Sequence, residues 1–477
     1  MSLILVLLTS AVLIAAFFGT PKDGNGVKPA LSAYTLVLSL FAVYAVFPAV
    51  LILANDSKYL WAPSFSENPA LPVTLGLCLV ALFAFLLGHF VFSRRSNHNP
   101  FEWASKVKDH TPVSLKGVRT AIVLVLIGLG LKIYFVLSSG GLNETVQRLS
   151  GSIRTNSGLD QLDANAVGLR TVSGVADGAA VWLVLLALKS KRHRTLAFAA
   201  LLFVLALSYT TMGKRLGLLW PLLAVVIGIH LFVKKVGIRA LPIGVIAFLA
   251  LTMGTLFFRI FLPAASAGVG IDLNTVSYSG GSILAFYFYS LEFSTVEMMT
   301  VAIYGRQEIN DLFGGPVQAF WETSIVPFTY VIPRTIWPDK PENIYDLSHG
   351  ISAVSTGTPL QSVVGYASTL VGTSYITAGI AGTIVAFLAL GWLTARVDRN
   401  IMRTDWSVNT VLRYSFLLVV VFHLFRQGTI GWVFIIAVVQ QLGFLAGIVL
   451  PSMIAAGGTN SSSAGKLSPR LQGVKID

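Results

Sequence analysis

The chain has 477 residues, of which 55% are hydrophobic and only 12% charged, with a mean hydropathy of +0.75. A soluble protein carries about 25% charged residues, so a water-soluble fold of this size could not cover its surface, and most of the chain faces lipid. A formal charge of +13 reads, in such a protein, as basic cytoplasmic loops rather than as a nucleic-acid surface. The single cysteine, Cys78, excludes an intrachain disulfide and a cysteine-based metal site. The seven histidines are scattered without ligand spacing.

A spanning helix needs about 20 apolar residues. Runs near that length occur at Leu3–Phe18, Leu31–Leu53, Val73–Phe92, Ala121–Leu137, Val175–Leu188 and Leu196–Thr211. Further runs follow at Leu216–Val233, Leu241–Leu262, Ile376–Leu393, Val411–Phe425 and Trp432–Met453. The first lacks a basic leader and an A-x-A site, so it reads as a true span and not a signal peptide. Ser282–Ile303 and Val317–Val331 are apolar but carry Glu292, Glu297 and Glu322, and read as a hairpin pair or as embedded half-helices. The expectation is an all-α polytopic membrane protein with 11–13 transmembrane helices, one integral domain over 1–455. A disordered tail is expected over 456–477, rich in Gly, Ser, Thr and Asn.

Lysine and arginine set the orientation. With 94–119 on the cytoplasmic side, alternate loops gather most of the 34 basic residues and few of the acids. The positive-inside rule then puts the N-terminus outside and the C-terminus inside. Two long extracytoplasmic loops remain, about 139–171 and 263–375. Loops of that length in a compact protein usually carry function.

Some cations escape this rule. Lys214 and Arg215 occupy a very short outer loop, Arg259 sits near the outer end of its helix, and Arg426 lies in the hinge Phe425-Arg-Gln-Gly428. All approach one membrane face from different helices; snorkelling to headgroups or pairing with an acid would account for any one of them, but less well for all four at short outer hinges. Guanidinium forks also match pairs of phosphate oxygens, so a ring of them suits a lipid diphosphate. The stretch Ser324–Pro341 holds four prolines with Arg334, Trp337 and Lys340, and cannot form a regular helix. Downstream, His349 is the only histidine in the outer loops. An exposed loop histidine is most often inert, but His349, Asp339, Glu342 and Glu322 are the candidate proton acceptors if this loop folds over a reaction centre.

These residues resemble a known family. The segment Pro-Arg-x-x-Trp-Pro-x-Lys-Pro (Pro333–Pro341), the Gly-Lys-Arg hinge (Gly213–Arg215), the Arg-x-Gly hinge (Arg426–Gly428) and the span entry Gly372-x-x-Tyr375-x-x-x-Gly379-x-x-Gly382 are similar to those of oligosaccharide repeat-unit polymerases, the Wzy-type O-antigen polymerases. The last hinge departs from the family pattern Arg-Gly-Asp, so no carboxylate role carries over there. The resemblance implies a GT-C-like fold related to O-antigen ligase and a metal-independent glycosyltransferase without a cofactor. It also implies a bacterial inner-membrane location and an undecaprenyl-diphosphate-linked oligosaccharide substrate, joined on the periplasmic face. A chain-length regulator would be a further partner, and nucleic acid would not. The absence of Asp-x-Asp and of a glycine-rich phosphate loop agrees with a donor that is not a nucleotide sugar.

Under that resemblance, Arg215, Arg259, Arg334 and Arg426, with Lys214 and Lys340, would bind the departing diphosphate. His349 would accept the proton, and Glu292 or Glu322 would face the oxocarbenium-like centre. Arg154, Arg170, Trp337 and Tyr345 would meet the acceptor or glycan. An O-antigen ligase, differing in its acceptor, is the nearest alternative. A flippase or transporter of lipid-linked sugars would instead call for internal repeats and midplane charges, and neither is visible.

Overall fold

The structure is a computed structural model. It describes residues 1–19, 32–54, 62, 70–94, 115–138, 140–141, 169, 171–212, 216–234, 236, 244, 246, 250, 254, 294–332, 336–337, 339, 345–360, 368–402 and 407–463. Among these there are helices and no strands, as lipid demands: without water, each backbone N–H and C=O must find its partner inside the segment.

The helices before the second long loop are α1 (Ser2–Phe18), α2 (Ala33–Ala54), α3 (Ala70–Arg94), α4 (Leu115–Ser138), α5 (Val175–Ser190), α6 (Arg194–Met212) and α7 (Leu216–Phe232). Within that loop lie α8 (Thr295–Tyr304), α9 (Arg306–Leu312), α10 (Pro316–Phe320) and α11 (Leu347–Thr356). The chain then forms α12 (Thr369–Met402), α13 (Val408–Gln427), α14 (Ile430–Ala437) and α15 (Leu442–Ser463). Six described helices are long and apolar enough to cross a membrane, and a seventh span follows if α14 and α15, bent by 60°, count as one. The expected run Leu241–Leu262 falls largely outside the described residues.

Several expectations change. Residues 317–331 do not make a continuous helix: α10 gives way to a π-turn (Trp321–Ile325) and a 3-10 turn (Val326–Val331). Pro327 lacks the N–H that an α-helical continuation would use. Of Ser282–Ile303 only the end is described, as α8, whose residues Thr295–Ala302 are all buried by protein. The stretch expected as the second outer loop folds into helices, of which α8, fitting an embedded half-helix, and α11 are largely buried while α10 is mostly exposed. Helix α15 runs on to Ser463; a helix already nucleated extends at low cost per residue.

Buried residues form three clusters. One joins α4, α5, α6, α7, α13 and α15, and a second joins α1, α2, α3, α8, α12 and the end of α13. The third is built from Met298, Ile309, Phe313, Ala319, Leu347, Ile351 and Ile376. It packs the loop helices α8–α11 onto α12. Close crossings rest on small residues, as is usual where lipid offers no hydrophobic drive between helices. A Cβ on Gly391 of α12 would sit 2.6 Å from the His89 nitrogen of α3.

Two buried acids hold the bundles together. Lys132 of α4 is fully buried, 2.9 Å from Asp177 of α5. Its ammonium also donates to Ser208 Oγ of α6 at 2.5 Å, and Ser208 in turn donates to Asp177. Asp398 of α12 accepts from the Ala33 and Tyr34 N–H groups at 2.8 and 3.2 Å and from the Tyr414 hydroxyl at 2.9 Å. It thereby satisfies orphan donors at the start of α2.

Candidate active site

The loop helices and the broken entry to α12 meet at one place. Helix α12 is interrupted at Ala378 and Gly379, where Gly379 takes φ +62°. The interruption leaves carbonyls without helical partners. The Ile376 carbonyl accepts instead from Arg306 Nε at 2.9 Å and Asn310 Nδ2 at 3.2 Å, both from α9. The Arg306 guanidinium also lies 5.7 Å over the Tyr375 ring, a cation–π distance. The motif Gly372-x-x-Tyr375-x-x-x-Gly379-x-x-Gly382 is thus a helix break clamped by an arginine.

The Arg-x-Gly hinge packs against the same half of α12. Arg426 is in the last turn of α13, and Gly428 closes that helix in the left-handed region at φ +78°. A Cβ on Gly428 would collide with the Thr373 side chain. Thr429 then begins α14, whose first turn carries Trp432. The hinge sets Arg426 and Trp432 on two successive helices.

His349 stands opposite Trp432, with ring centroids 6.3 Å apart and planes at 89°. It is not an exposed loop residue: it is buried in the first turn of α11. Asp346 is the N-cap of that helix, the usual place for a short acceptor side chain. Its Oδ1 takes the His349 N–H at 3.2 Å, lies 2.7 Å from the imidazole Nδ1, and also receives the Ser348 hydroxyl. The Asp346 N–H lies 3.3 Å from the same Nδ1. One nitrogen cannot be donor and acceptor at once, and the shorter contact decides. Nδ1–H donates to Asp346, which leaves Nε2 for proton exchange.

Burial alone would push the Asp346 carboxyl up, but the facing His349 holds it below the usual carboxylate range. For His349, burial disfavours the charged ring, yet the Asp346 carboxylate outweighs it and raises the imidazole above its ordinary value. Tyr345 completes the wall, its ring 5.7 Å from His349. The pairing resembles the acid-oriented histidine of a catalytic triad.

Among the described residues, the expected site residues Glu322, Trp337 and Asp339 are not gathered here. Glu322 sits in the π-turn, and its carboxylate accepts from Gln318 at 2.9 Å; among the described residues the carboxylate partner of His349 is Asp346 instead. A side chain one turn from Gln318 is satisfied locally, which sequence position alone could not reveal. Trp337 and Asp339 are exposed. Arg154, Arg170, Lys214, Arg215, Arg259, Glu292, Arg334, Lys340 and Glu342 lie outside the described residues. Sequence reading missed Asp346 and Arg306. The first had a signal, an Asp three residues before His349 at the start of a helix; the second needed the break in α12 to be known.

No curated protein and no solved structure matches the chain. A family model described as O-antigen polysaccharide polymerase Wzy matches residues 2–456, nearly the whole sequence. The protein belongs to this family of O-antigen polymerases, multi-pass membrane enzymes that act on lipid-linked oligosaccharide repeat units.

Proposed function

We propose that the chain joins repeat units carried on a polyprenyl diphosphate at the outer face of the bacterial inner membrane, with the N-terminus out and the C-terminus in. His349 is the proton acceptor and Asp346 its positioning residue. A hydroxyl of the incoming unit attacks the anomeric carbon of the growing chain. The C–O bond to the lipid diphosphate breaks, the diphosphate leaves with the electron pair, and the hydroxyl proton passes to His349 Nε2. The carboxylate of Asp346 stabilises the imidazolium that forms, which supports the base role better than an isolated histidine would.

Charge on the departing diphosphate needs donors placed in advance. Arg426 supplies one, at the hinge that also presents Trp432 to His349. Arg215, Arg259, Arg334, Lys214 and Lys340 are the further candidates, on the sequence resemblance. Arginines, not a divalent cation, take the charge in this reading. Trp432, Tyr345 and Trp337 offer faces to sugar rings, and Arg154 and Arg170 remain candidates for glycan contact. A chain-length regulator is a proposed partner.

The observation that carries the reading is the buried Asp346–His349 pair facing Trp432 next to the Arg426 hinge. Purified protein given lipid-linked repeat units tests it. His349→Gln and Arg426→Ala should each lower turnover while the protein still inserts and purifies; for Arg426→Ala, loss of a charge-assisted hydrogen bond typically costs about 1.5–3 kcal/mol. Wild-type chain lengths from both variants would move the reaction centre elsewhere. An impermeant thiol reagent should label Thr358→Cys, at an exposed position just past α11, from the periplasm, and labelling only after permeabilisation would reverse the orientation.

A further inference from the structure

Away from this centre, a cavity of about 320 Å³ opens between α7, α13 and α15. Its apolar walls are Trp220, Leu412, Phe416, Leu445, Ile448 and Val449. The deep wall is fixed. The buried Trp220 indole N–H donates to Ser415 Oγ at 3.1 Å, and its ring packs 4.9 Å from Phe416 and 4.4 Å from Phe444. On the other flank, Val449 and Met453 are 44% and 65% exposed, so the groove opens sideways, toward lipid rather than toward bulk water.

One end of the groove is polar. Asn409 and Arg413 line it, one turn apart on α13. Arg413 is five residues from the first residue of α13, or roughly 7.5 Å along the axis at 1.5 Å per residue. The polar headgroup layer on each side of the hydrocarbon core is of similar thickness, about 5–7.5 Å. Arg413 is exposed and, among the described residues, enters no ion pair. From Leu445 to Met453 the apolar trough extends roughly 12 Å by the same rise. The trough admits a length of hydrocarbon chain, and the guanidinium at its mouth is complementary to a phosphate diester.

We infer that this groove binds one anionic phospholipid, its phosphate held by Arg413 and Asn409 and an acyl chain lying along Phe416, Ile448 and Val449. The orientation proposed above makes it a lipid of the cytoplasmic leaflet, across the membrane from His349. Snorkelling of Arg413 would need only a diffuse headgroup layer. The preformed apolar wall beside the cation adds a seat for the chain, and with it selectivity and residence. The lipid would bridge α13 and α15, and α13 carries Arg426 at its far end.

Native mass spectrometry of the purified full-length protein tests this, with phosphatidylglycerol and phosphatidylcholine titrated separately. The wild type should keep one phosphatidylglycerol with about tenfold preference over phosphatidylcholine, the scale of a charge-assisted contact. Arg413→Gln should lose the preference, and Arg413→Lys should keep most of it. Val449→Trp, a change at an exposed position that fills the trough, should weaken retention of both lipids. Equal retention of the two lipids by the wild type, or unchanged adducts in both Arg413→Gln and Val449→Trp, would overturn the site. Displacement of phosphatidylglycerol by an equal concentration of undecaprenyl phosphate would also overturn it, by making the groove a polyprenyl site.

Discussion

The side chain of Thr373 fills the space that a side chain on Gly428 would need. Gly428 is also held at φ +78°, so two independent constraints exclude every other residue there. A non-glycine residue in that backbone region costs about 1–2 kcal/mol, and overpacking typically adds about 1–3 kcal/mol. Gly428→Ala is expected to lower the Tm and shorten the polymer, because Arg426 and Trp432 lie on either side of the turn. Adding Thr373→Ala should relieve only part of the clash, because the Thr373 Cβ itself lies 2.8 Å from the added methyl, and none of the backbone strain, so the double variant should recover a small part of the Tm. Thermal denaturation of the purified protein and gel analysis of chain length check both.

The Asp346–His349 pair gives a pH prediction with a definite sign. With His349 as the proposed proton acceptor, the reaction would use the neutral imidazole, so the rate should rise with pH through the His349 pKa. Asp346 holds that pKa above its ordinary value. Asp346→Asn should therefore move the acid limb of the kcat/KM profile to lower pH while lowering the plateau. His349→Gln should remove the limb and cost about 10²–10⁴-fold in rate. If Asp346 only supported α11, its loss would reduce activity and leave the limb in place.

The Lys132–Asp177 pair should show strong coupling. Removing one partner of a buried pair leaves an uncompensated charge and costs about 3–5 kcal/mol, whereas replacing both with apolar residues is often near neutral. Lys132→Met alone should destabilise the protein markedly. The double variant with Asp177→Leu should regain most of the loss in a thermal unfolding assay.

If arginines carry the leaving-group charge, polymerisation of purified lipid-linked units should proceed in EDTA at its normal rate. Strict dependence on added magnesium or manganese would assign part of that task to a carboxylate-bound metal.

Sequence legibility followed the physics that dominates each level. Hydropathy identified the class of fold because lipid imposes one rule on every residue of a span, and the helices Ala70–Arg94 and Val408–Gln427 enclose the runs expected there. The two glycine motifs were visible as strings but not as devices. Only with the chain folded does Gly379 appear as a helix break held by Arg306, and Gly428 as a turn filled by Thr373. The partner of His349 escaped notice because burial of the second outer loop depends on long-range packing of Ile309, Phe313 and Ile351. A glycine- and serine-rich stretch does not announce such packing.

The spacing of the Lys132–Asp177 pair has a consequence for how the protein is made. The lysine emerges from the ribosome 45 residues before the aspartate that neutralises it. An arginine or lysine released alone into the bilayer costs about 2.5–3.5 kcal/mol at a helix centre. Until α5 is synthesised, α4 therefore gains by lingering at the insertion machinery, and the two helices should enter lipid as a unit. In a nascent chain halted before α5 leaves the ribosome, α4 should crosslink to the insertion machinery, and in one extended past α5 it should not. A buried ion pair would then set the order of events during biogenesis as well as the packing of the finished fold.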